Sequence, residues 1–380
     1  MEKAISRERI RNLLVRGANW VGDSVISLPA LKQIREGFPD AHISLLVLPW
    51  VSGVYEGSEA VDEVLLYDRK GNHQGVRGRI RLVQELRARQ FDAAILFQNA
   101  FEAALLTALA GIPLRFGYRR DARSWLLSHA LAIDPRLKNL HQSYYYLDLV
   151  DRVLGRDRAL EAAFPSKLPS SIESPSAPWL VVSPQRKEAA RQILRENGIS
   201  FSKPVIGVNP GASFGSAKRW PKERYAALLD QLTRQQETAI VLFGSEAEVS
   251  LAQTIGAAMN HLPLILSGKT TLSELIALIS CCDLFITNDS GPMHLAAALR
   301  IPMLAIFGPT DEIATGPMSA TATVIKKKVE CSPCLLRECP IDHRCMTGIS
   351  VEELHRQAIR LLQTTKGSAS PPDPEFFLNL

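Results

Sequence analysis

The sequence lacks an uninterrupted apolar run long enough to cross a membrane. A spanning helix needs about 20 consecutive apolar residues. The best candidate, residues 93–114, is interrupted by Gln98, Asn99 and Glu102. The N-terminus also lacks the apolar stretch of a secretory signal. We therefore expect a cytoplasmic protein without a transmembrane segment.

Cysteine is scarce, with six residues in 380, and this excludes a disulfide-stabilised scaffold. Four of the six fall within residues 331–345, where His343 also lies: Cys331, Cys334, Cys339 and Cys345. Thiols at short spacing can hold zinc, but this spacing is not that of two Cys-x-x-Cys pairs. A structural metal is therefore one interpretation of this segment, and the sequence does not decide it.

Several nucleotide-binding signatures are also missing. Neither half has Gly-x-Gly-x-x-Gly after a strand, which argues against a nicotinamide oxidoreductase, and no P-loop lysine motif is present. Charge of one sign does not dominate, since 44 basic residues face 39 acidic ones for a net charge of +5. No nucleic-acid recognition motif accompanies the basic stretches, so nucleic acid is not an expected partner.

What the chain does contain is a strand–helix alternation that occurs twice. A length of 380 residues suggests two domains, and the continuous apolar strands predict parallel sheets covered by helices on both faces. In the first half we predict strands at 10–16, 42–48, 63–67 and 91–97, and helices at 24–37, 77–89, 101–110 and 139–154. In the second half we predict strands at 179–183, 205–209, 239–243, 264–266, 284–287 and 303–307, and helices at 222–235 and 272–280.

Between the two halves, residues 164–178 are rich in Pro and Ser, which is typical of an interdomain linker. The predicted organisation is a first domain over 1–163, a second over 179–365 and a loose tail over 366–380. Ligands of such α/β folds bind beyond the carboxyl ends of the strands. The loops after the strands are therefore where function is expected.

The loop after the first strand ends in Asp23 and Ser24, at the start of a predicted helix. An aspartate here commonly caps the helix, because its carboxylate accepts bonds from free backbone N–H groups. The alternative is a carboxylate at the rim of a cleft that accepts a proton from a substrate hydroxyl. The position of Asp23 in the sequence, taken alone, favours its interpretation as a helix cap.

Two loops of the second half have the composition of anion sites. Residues 208–221 carry Ser213 and Lys218 among small residues before a helix, although a solvated turn is about equally plausible. Glu246, after the strand at 239–243, can bind a ribose or interact favourably with a helix dipole.

The strongest local signal is the segment 287–294, between an apolar strand and an alanine-rich helix. The amides of Ser290 and Gly291 would point at a phosphate, and Asp289 can accept bonds from sugar hydroxyls. His294 can either bind phosphate or pack.

Together, three of these loops resemble the signatures of the ADP-heptose:lipopolysaccharide heptosyltransferases, glycosyltransferase family 9. They are Gly17-Ala-Asn-Trp-Val-Gly-Asp23, Pro210-Gly-Ala-Ser-Phe-Gly-Ser-Ala-Lys-Arg-Trp-Pro221 and Asn288-Asp-Ser-Gly-Pro-Met-His294. The similarity runs from about residue 13 to residue 362, in the family's order. The Ala-Asn-Trp-Val-Gly-Asp and Ala-Lys-Arg-Trp-Pro forms are most similar to the heptosyltransferase II branch.

The resemblance implies a GT-B fold, in which two Rossmann-like domains face each other across a cleft. It implies that Asp23 is the catalytic base and that Lys218 binds the diphosphate and sugar of the ADP-heptose donor. The other implied donor-binding residues are Ser213, near the phosphates; Glu246, on the ribose; Asp289, on the heptose; and Ser290, Gly291 and His294, around the diphosphate. The metal-binding Asp-x-Asp of other glycosyltransferases is absent, so neither a catalytic metal nor a cofactor is expected.

The implied acceptor is a phosphorylated lipid A–Kdo core at the membrane surface, with the enzyme peripheral to the inner face of the inner membrane. A basic stretch in the first half fits an anionic partner, although a solvated helix is the commoner explanation. Its members are Arg69, Lys70, Arg77, Arg79, Arg81, Arg87 and Arg89, followed by Arg115, Arg119, Arg120 and Arg123.

Two alternatives remain at this stage. One is another family 9 activity, such as heptosyltransferase I or a transferase with a different sugar donor. The other is a two-lobed solute-binding protein, which needs a cleft but no base and normally carries an export signal.

Overall fold

The computed structural model describes residues 9–156, 160 and 180–367. Within it the chain divides between Pro178 and Trp179 into two compact units. The predicted linker at 164–178 lies outside the described residues, as does most of the predicted tail. The first two tail residues, 366 and 367, belong instead to the last helix. The domain boundaries themselves stay a prediction.

The first unit is a six-stranded parallel sheet with helices. Its strands are β1 (Asn12–Arg16), β2 (His42–Val47), β3 (Glu63–Leu66), β4 (Ala93–Leu96), β5 (Leu114–Tyr118) and β6 (His129–Leu131). Its helices are α1 (Val21–Ile26), α2 (Leu28–Gly37), α3 (Gly75–Ala88), α4 (Phe101–Leu109) and α5 (Gln142–Val153). The strand order β3-β2-β1-β4-β5-β6 is that of a Rossmann fold.

The second unit repeats this topology. Its strands are β7 (Val205–Asn209), β8 (Ala239–Leu242), β9 (Leu264–Ile265), β10 (Leu284–Asn288), β11 (Met303–Phe307) and β12 (Ala322–Lys326). Its helices are α6 (Pro184–Glu196), α7 (Lys222–Gln236), α8 (Val249–Ala257), α9 (Leu272–Ile279), α10 (Gly291–Ala298), α11 (Glu312–Thr315), α12 (Arg344–Thr347) and α13 (Val351–Gly367). The order β12-β11-β10-β7-β8-β9 places β7 and β10 side by side, where the order reverses.

The central strands are buried along their whole length, which is why they appear in the sequence as continuous apolar runs. In β7, β10 and β11 every residue is buried, as expected for a parallel sheet covered on both faces. Gly207 on β7 fits this packing, because a Cβ there would lie 2.7 Å from the Phe285 ring of β10.

Two predictions about local structure are wrong. The helix predicted over 24–37 is two helices that meet at Ser27, because Pro29 has no N–H to continue the first one. The strand predicted at 179–183 does not form within its described part, residues 180–183. Instead, Ser183 caps α6 by accepting a bond from the Arg186 amide.

Three strands were not predicted: β5, β6 and β12. Each lies toward an edge of its sheet and is only partly buried, so its apolar pattern is weak.

Candidate functional site: a lysine–aspartate pair beside a helix start, and a desolvated aspartate

The candidate site of the second unit lies where the strand order reverses, between β7 and β10. The loop after β7 carries Lys218, and the loop after β10 carries Asp289. Their side chains form an ion pair, with Lys218 Nζ 2.6 Å from Asp289 Oδ2. Both side chains are largely buried, at 13% and 5% exposure. Two of the predicted site residues, 71 positions apart in sequence, are therefore in direct contact.

The hydroxyl of Thr310 also bonds to Asp289. Thr310, after β11, donates its hydroxyl to the same Asp289 Oδ2 at 2.6 Å, and it is itself buried. One carboxylate oxygen thus accepts from both an ammonium and a hydroxyl, which fixes the aspartate. Thr310 was not predicted, although its position after a buried strand next to β10 was the available signal.

Asn288 holds the loop of Lys218 in place. Its Oδ1 accepts bonds from the Trp220 amide (3.1 Å) and the Tyr225 hydroxyl (3.0 Å). Its Nδ2 donates to the Pro210 carbonyl at 2.7 Å. Asn288 is fully buried, so a single amide side chain joins both ends of the loop to β10. Asn288 belongs to a motif recognised in the sequence, but no role was predicted for it.

The start of α10 is open in the sense that no side chain caps it. Ser290 is the N-cap residue, but its side chain makes no capping bond. Its hydroxyl is instead within hydrogen-bond distance of the side chains of Thr287 and Asn209. Gly291 begins the helix, and His294 is buried in its first turn. An N-terminus without a side-chain cap, beside a lysine, is a typical phosphate site.

The remaining two predicted donor residues lie at the surface. Ser213 and Glu246 are exposed. The carboxylate buried in this region is Glu248, which accepts bonds from the Ser245 amide and hydroxyl at 2.8 Å. A Cβ at Gly211 would lie 1.9 Å from Glu248 Oε1, so Glu248 supports the start of the 210–221 loop.

Thr310→Val tests how far the Asp289 network stabilises the unit. We expect a loss of about 1.5–3 kcal/mol in the free energy of unfolding, because a hydrogen bond to a buried charge is removed. The measurement is the urea unfolding transition. Thr323→Val, on β12 and away from the site, is the matched control and should leave the midpoint unchanged. Equal midpoints for wild type and Thr310→Val would contradict the network.

In the first unit, Asp23 follows β1, at the junction with β4 where that strand order reverses. The interpretation of Asp23 as a helix cap is wrong. The N-cap of α1 is Trp20, and Asp23 lies inside the first turn. Burial raises the pKa of the Asp23 carboxyl. Its charge also contributes, after burial, to the raised pKa of Tyr146 and, as a smaller cause, to that of Tyr55. The carboxylate is therefore desolvated and interacts electrostatically with both tyrosines.

A buried arginine shapes the loop that carries Asp23. Arg16 at the end of β1 donates to the Gly17 carbonyl (2.6 Å) and to Asn19 Oδ1 (2.7 Å). Burial lowers the pKa of Arg16 to about 10. The indole of Trp50, after β2, donates to the Asn19 carbonyl at 2.9 Å. The loop is therefore tied to the end of β1 and to the segment after β2, which fixes the start of α1.

Exposed aromatic side chains collect at this same edge of the first sheet. Trp20, Trp50, Phe101 and Trp125 are 38–73% exposed, and each lies in or directly after a loop that follows a strand: β1, β2, β4 and β5. Phe101 and Trp125 also contact each other, with ring centroids 6.1 Å apart. Exposed aromatic groups in one region commonly mark a binding surface. This group of exposed rings was not predicted from the sequence.

The basic stretch is only partly free. Arg69 and Arg79 both pair with Glu102, at 3.3 and 2.6 Å, and Arg89 pairs with Glu63 at 2.9 Å. Arg123 is fully buried. In the described ranges Lys70, Arg77 and Arg81 are exposed and make no ion pair. Arg87, Arg119 and Arg120 are also exposed without an ion pair in these ranges. Lys70, Arg77 and Arg81 are therefore among the residues of the stretch that are available to an anionic partner.

The four clustered cysteines lie around one small cavity. It has a volume of about 70 Å³ and is also lined by His343 and Ala217. Across residues 9–156, 160 and 180–367, no three His, Cys, Asp or Glu side chains are placed to hold a metal ion. Within the same described ranges, no helix combines the length and the apolar character that a membrane span requires.

Comparison with known proteins identifies the family. Residues 79–344 match the family described as glycosyltransferase family 9 (heptosyltransferase). Lipopolysaccharide heptosyltransferase 2 of Escherichia coli K12 is 32% identical over 318 residues, covering 83% of this chain and 87% of that protein.

Solved structures have the same fold. E. coli ADP-heptose lps heptosyltransferase II aligns with a TM-score of 0.78 at 29% identity, covering 94% of this chain and 100% of the other. E. coli heptosyltransferase WaaC with ADP-2-deoxy-2-fluoro heptose aligns at 0.64 and 20% identity, covering 92% and 99%. The predicted GT-B class of α/β fold is confirmed. The chain belongs to glycosyltransferase family 9 and is a glycosyltransferase.

Proposed function

We propose that this chain transfers L-glycero-D-manno-heptose from ADP-heptose to the heptosyl-Kdo2-lipid A inner core. The observation that carries the proposal is the Lys218–Asp289 pair beside the open start of α10. A cation next to a helix start that no side chain caps suits a diphosphate, and the adjacent aspartate can accept bonds from sugar hydroxyls. The relatives named above support heptose as the transferred sugar.

In the proposed reaction, Asp23 removes the proton of an acceptor hydroxyl. The hydroxyl oxygen attacks the anomeric carbon of the donor as the bond from that carbon to the diphosphate oxygen breaks, with inversion. Lys218 and the amides at Ser290 and Gly291 stabilise the negative charge that grows on the departing ADP. Ser213, Glu246 and His294 stay predicted donor contacts, with Glu246 on the ribose.

For the acceptor, we propose that its phosphates bind the exposed cations Lys70, Arg77 and Arg81. Peripheral binding to the inner face of the inner membrane is part of this proposal, because anionic lipid attracts exposed basic residues. The exposed rings of Trp20 and Trp50 lie beside the loop of Asp23, where an acceptor sugar would be deprotonated.

The decisive experiment measures ADP release from ADP-heptose with two acceptors, Kdo2-lipid A with and without a first heptose. We expect rapid release only with the heptosylated acceptor. Release only with the unheptosylated acceptor would indicate a heptosyltransferase I activity, and release only from another nucleotide sugar would indicate a different donor. Membership of family 9 does not favour the solute-binding alternative.

The pH dependence should reflect the desolvation of Asp23. Only the ionised carboxylate can accept a proton, and burial raises the pKa of Asp23 above its ordinary value of 3.8. Activity should therefore fall as the pH drops through a midpoint above 3.8. The measurement is kcat/KM against pH at saturating donor. A profile that stays flat down to pH 3.8, with the enzyme still folded, would contradict this assignment.

A further inference from the structure

The segment of residues 331–345, the cysteine-rich segment, is not used by the proposed reaction, yet it contacts the donor loop. The Ala217 amide donates to the Arg337 carbonyl at 2.9 Å. The Ala217 carbonyl lies 2.6 Å from His343 Nε2, and because a carbonyl only accepts, this nitrogen is the donor. Both backbone polar groups of Ala217 are thus held by this segment. Ala217 directly precedes Lys218.

The packing around these bonds is close. A Cβ at Gly215 would lie 2.2 Å from the Arg337 carbonyl oxygen, so the two backbones touch. The Phe214 ring has the Lys218 ammonium 4.8 Å and the Arg337 guanidinium 5.4 Å from its centroid. The cysteine-rich segment therefore sets the position of the loop before Lys218.

The same segment also holds the loop of Thr310. The Leu335 amide donates to the Pro309 carbonyl at 2.8 Å, and the Ser332 hydroxyl donates to the Gly308 carbonyl at 2.6 Å. Pro309 directly precedes Thr310. The segment thus fixes the backbone immediately before each of the two side chains that bond to Asp289 Oδ2.

Of the two bonds between this segment and Ala217, one comes from the backbone of Arg337 and the other from the side chain of His343. Its backbone is left-handed, with φ 58° and ψ 28°, a region that Asn and His tolerate better than most residues. Its carbonyl accepts bonds from the Met346 and Thr347 amides at 2.9 Å. The ring is therefore attached to a well-fixed point of the backbone.

We propose that His343 is a positioning residue for the donor site: it holds the Ala217 carbonyl and thereby aims Lys218 at the donor diphosphate. The inference rests on the proposed function in taking ADP-heptose as the donor. His343 does not touch the substrate. Its effect passes through Lys218.

Two variants separate this role from a purely structural one. His343→Gln keeps an N–H donor at the distance of Nε2 but tolerates the left-handed backbone less well. His343→Asn tolerates that backbone but is one methylene too short to reach Ala217. If His343 positions Lys218, the His343→Gln variant should retain its affinity for the donor and the His343→Asn variant should lose it. If His343 only stabilises the backbone, His343→Asn should be the less damaging of the two substitutions.

We expect His343→Asn to raise the donor KM and the Kd of ADP by about 3- to 10-fold, the effect of one lost hydrogen bond. The acceptor KM and the melting temperature should stay close to wild type, and His343→Gln should recover most of the donor affinity. His261→Ala, at an exposed histidine of the same unit, is the control and should behave as wild type. A Gln variant weaker than the Asn variant would overturn the proposal.

A double-mutant cycle tests the route through Lys218. If His343 acts through Lys218, adding His343→Asn to Lys218→Ala should cause almost no further loss of ADP affinity. If the two substitutions together weaken ADP binding by the product of their separate effects, the proposal is overturned. ADP binding is measured by calorimetry without acceptor. An enzyme that binds ADP and shows this coupling, but does not transfer heptose, would refute only the proposed function.

Discussion

Replacing Lys218 by alanine should lower kcat by about 10²- to 10³-fold, the effect of losing one donor to a developing negative charge. The charge on the departing diphosphate grows in the transition state, so a cation already fixed beside it stabilises that state most. Lys218 is fixed by the 2.6 Å ion pair with Asp289 and is largely buried. The field of its charge is therefore screened less than at the surface.

The affinity for ADP-heptose should fall as well, because the ground state also carries the diphosphate. Removing the ammonium leaves the Asp289 carboxylate with Thr310 as its one side-chain donor among the described residues, and this places an uncompensated negative charge beside the phosphates. Added magnesium should not restore turnover fully, because a cation bound to the diphosphate from solution is not fixed in place as the Lys218 ammonium is.

Arg219 provides the matched control. It is the adjacent cation, but its one described side-chain bond goes to the Ala212 carbonyl at 3.4 Å, away from Asp289. Arg219→Ala should therefore cost much less than Lys218→Ala, and the double variant should resemble Lys218→Ala. If Lys218→Ala had wild-type kinetics and Arg219→Ala were inactive, Arg219 rather than Lys218 would be the cation that stabilises the diphosphate. Activity in all three variants would refute the donor-site proposal.

The position of this site could be predicted from the sequence because it follows from strand order. The loops after β7 and β10 carry small residues, hydroxyls and charges directly after fully buried strands, and a parallel sheet brings such loops to one edge. The contact between Lys218 and Asp289 is a consequence of that topology. Thr310 also follows a buried strand, but a single threonine after Gly308 and Pro309 belongs to no motif, so its position alone did not single it out.

The role of the cysteine-rich segment could not be predicted at all. His343 and Ala217 are 126 positions apart, and the bond between them depends on an irregular backbone rather than on any repeating pattern. The spacing of the four cysteines suggested a zinc site as one interpretation. The bonds that link the segment to the donor loop instead involve the Arg337 carbonyl and the His343 imidazole. Spacing alone carries no information about backbone contacts of this kind.

The replacement of Asp23 by asparagine should lower kcat by about 10²- to 10⁴-fold, the usual contribution of a general base. The carboxylate lies in the first turn of α1, where burial raises its pKa, so its charged form is poorly solvated and gains by accepting a proton. Asparagine preserves the size of the side chain but cannot take up that proton. The affinity for ADP-heptose should remain near wild type, because the proposed donor contacts are all in the second unit.

The same desolvation predicts that this inactive variant is not less stable. A carboxyl whose pKa is raised on folding binds protons more tightly in the folded state. Its contribution therefore stabilises the protein at low pH and is lost as the pH rises through the raised pKa. At neutral pH the ionised, buried Asp23 destabilises the folded state, and asparagine removes this effect. The melting temperature of Asp23→Asn should therefore equal or exceed that of wild type.

Asp40→Asn, at an exposed carboxylate of the same unit, should change neither activity nor stability. A folded Asp23→Asn protein with near-normal turnover would show that another group accepts the proton, and a lower melting temperature would show that Asp23 stabilises the fold instead.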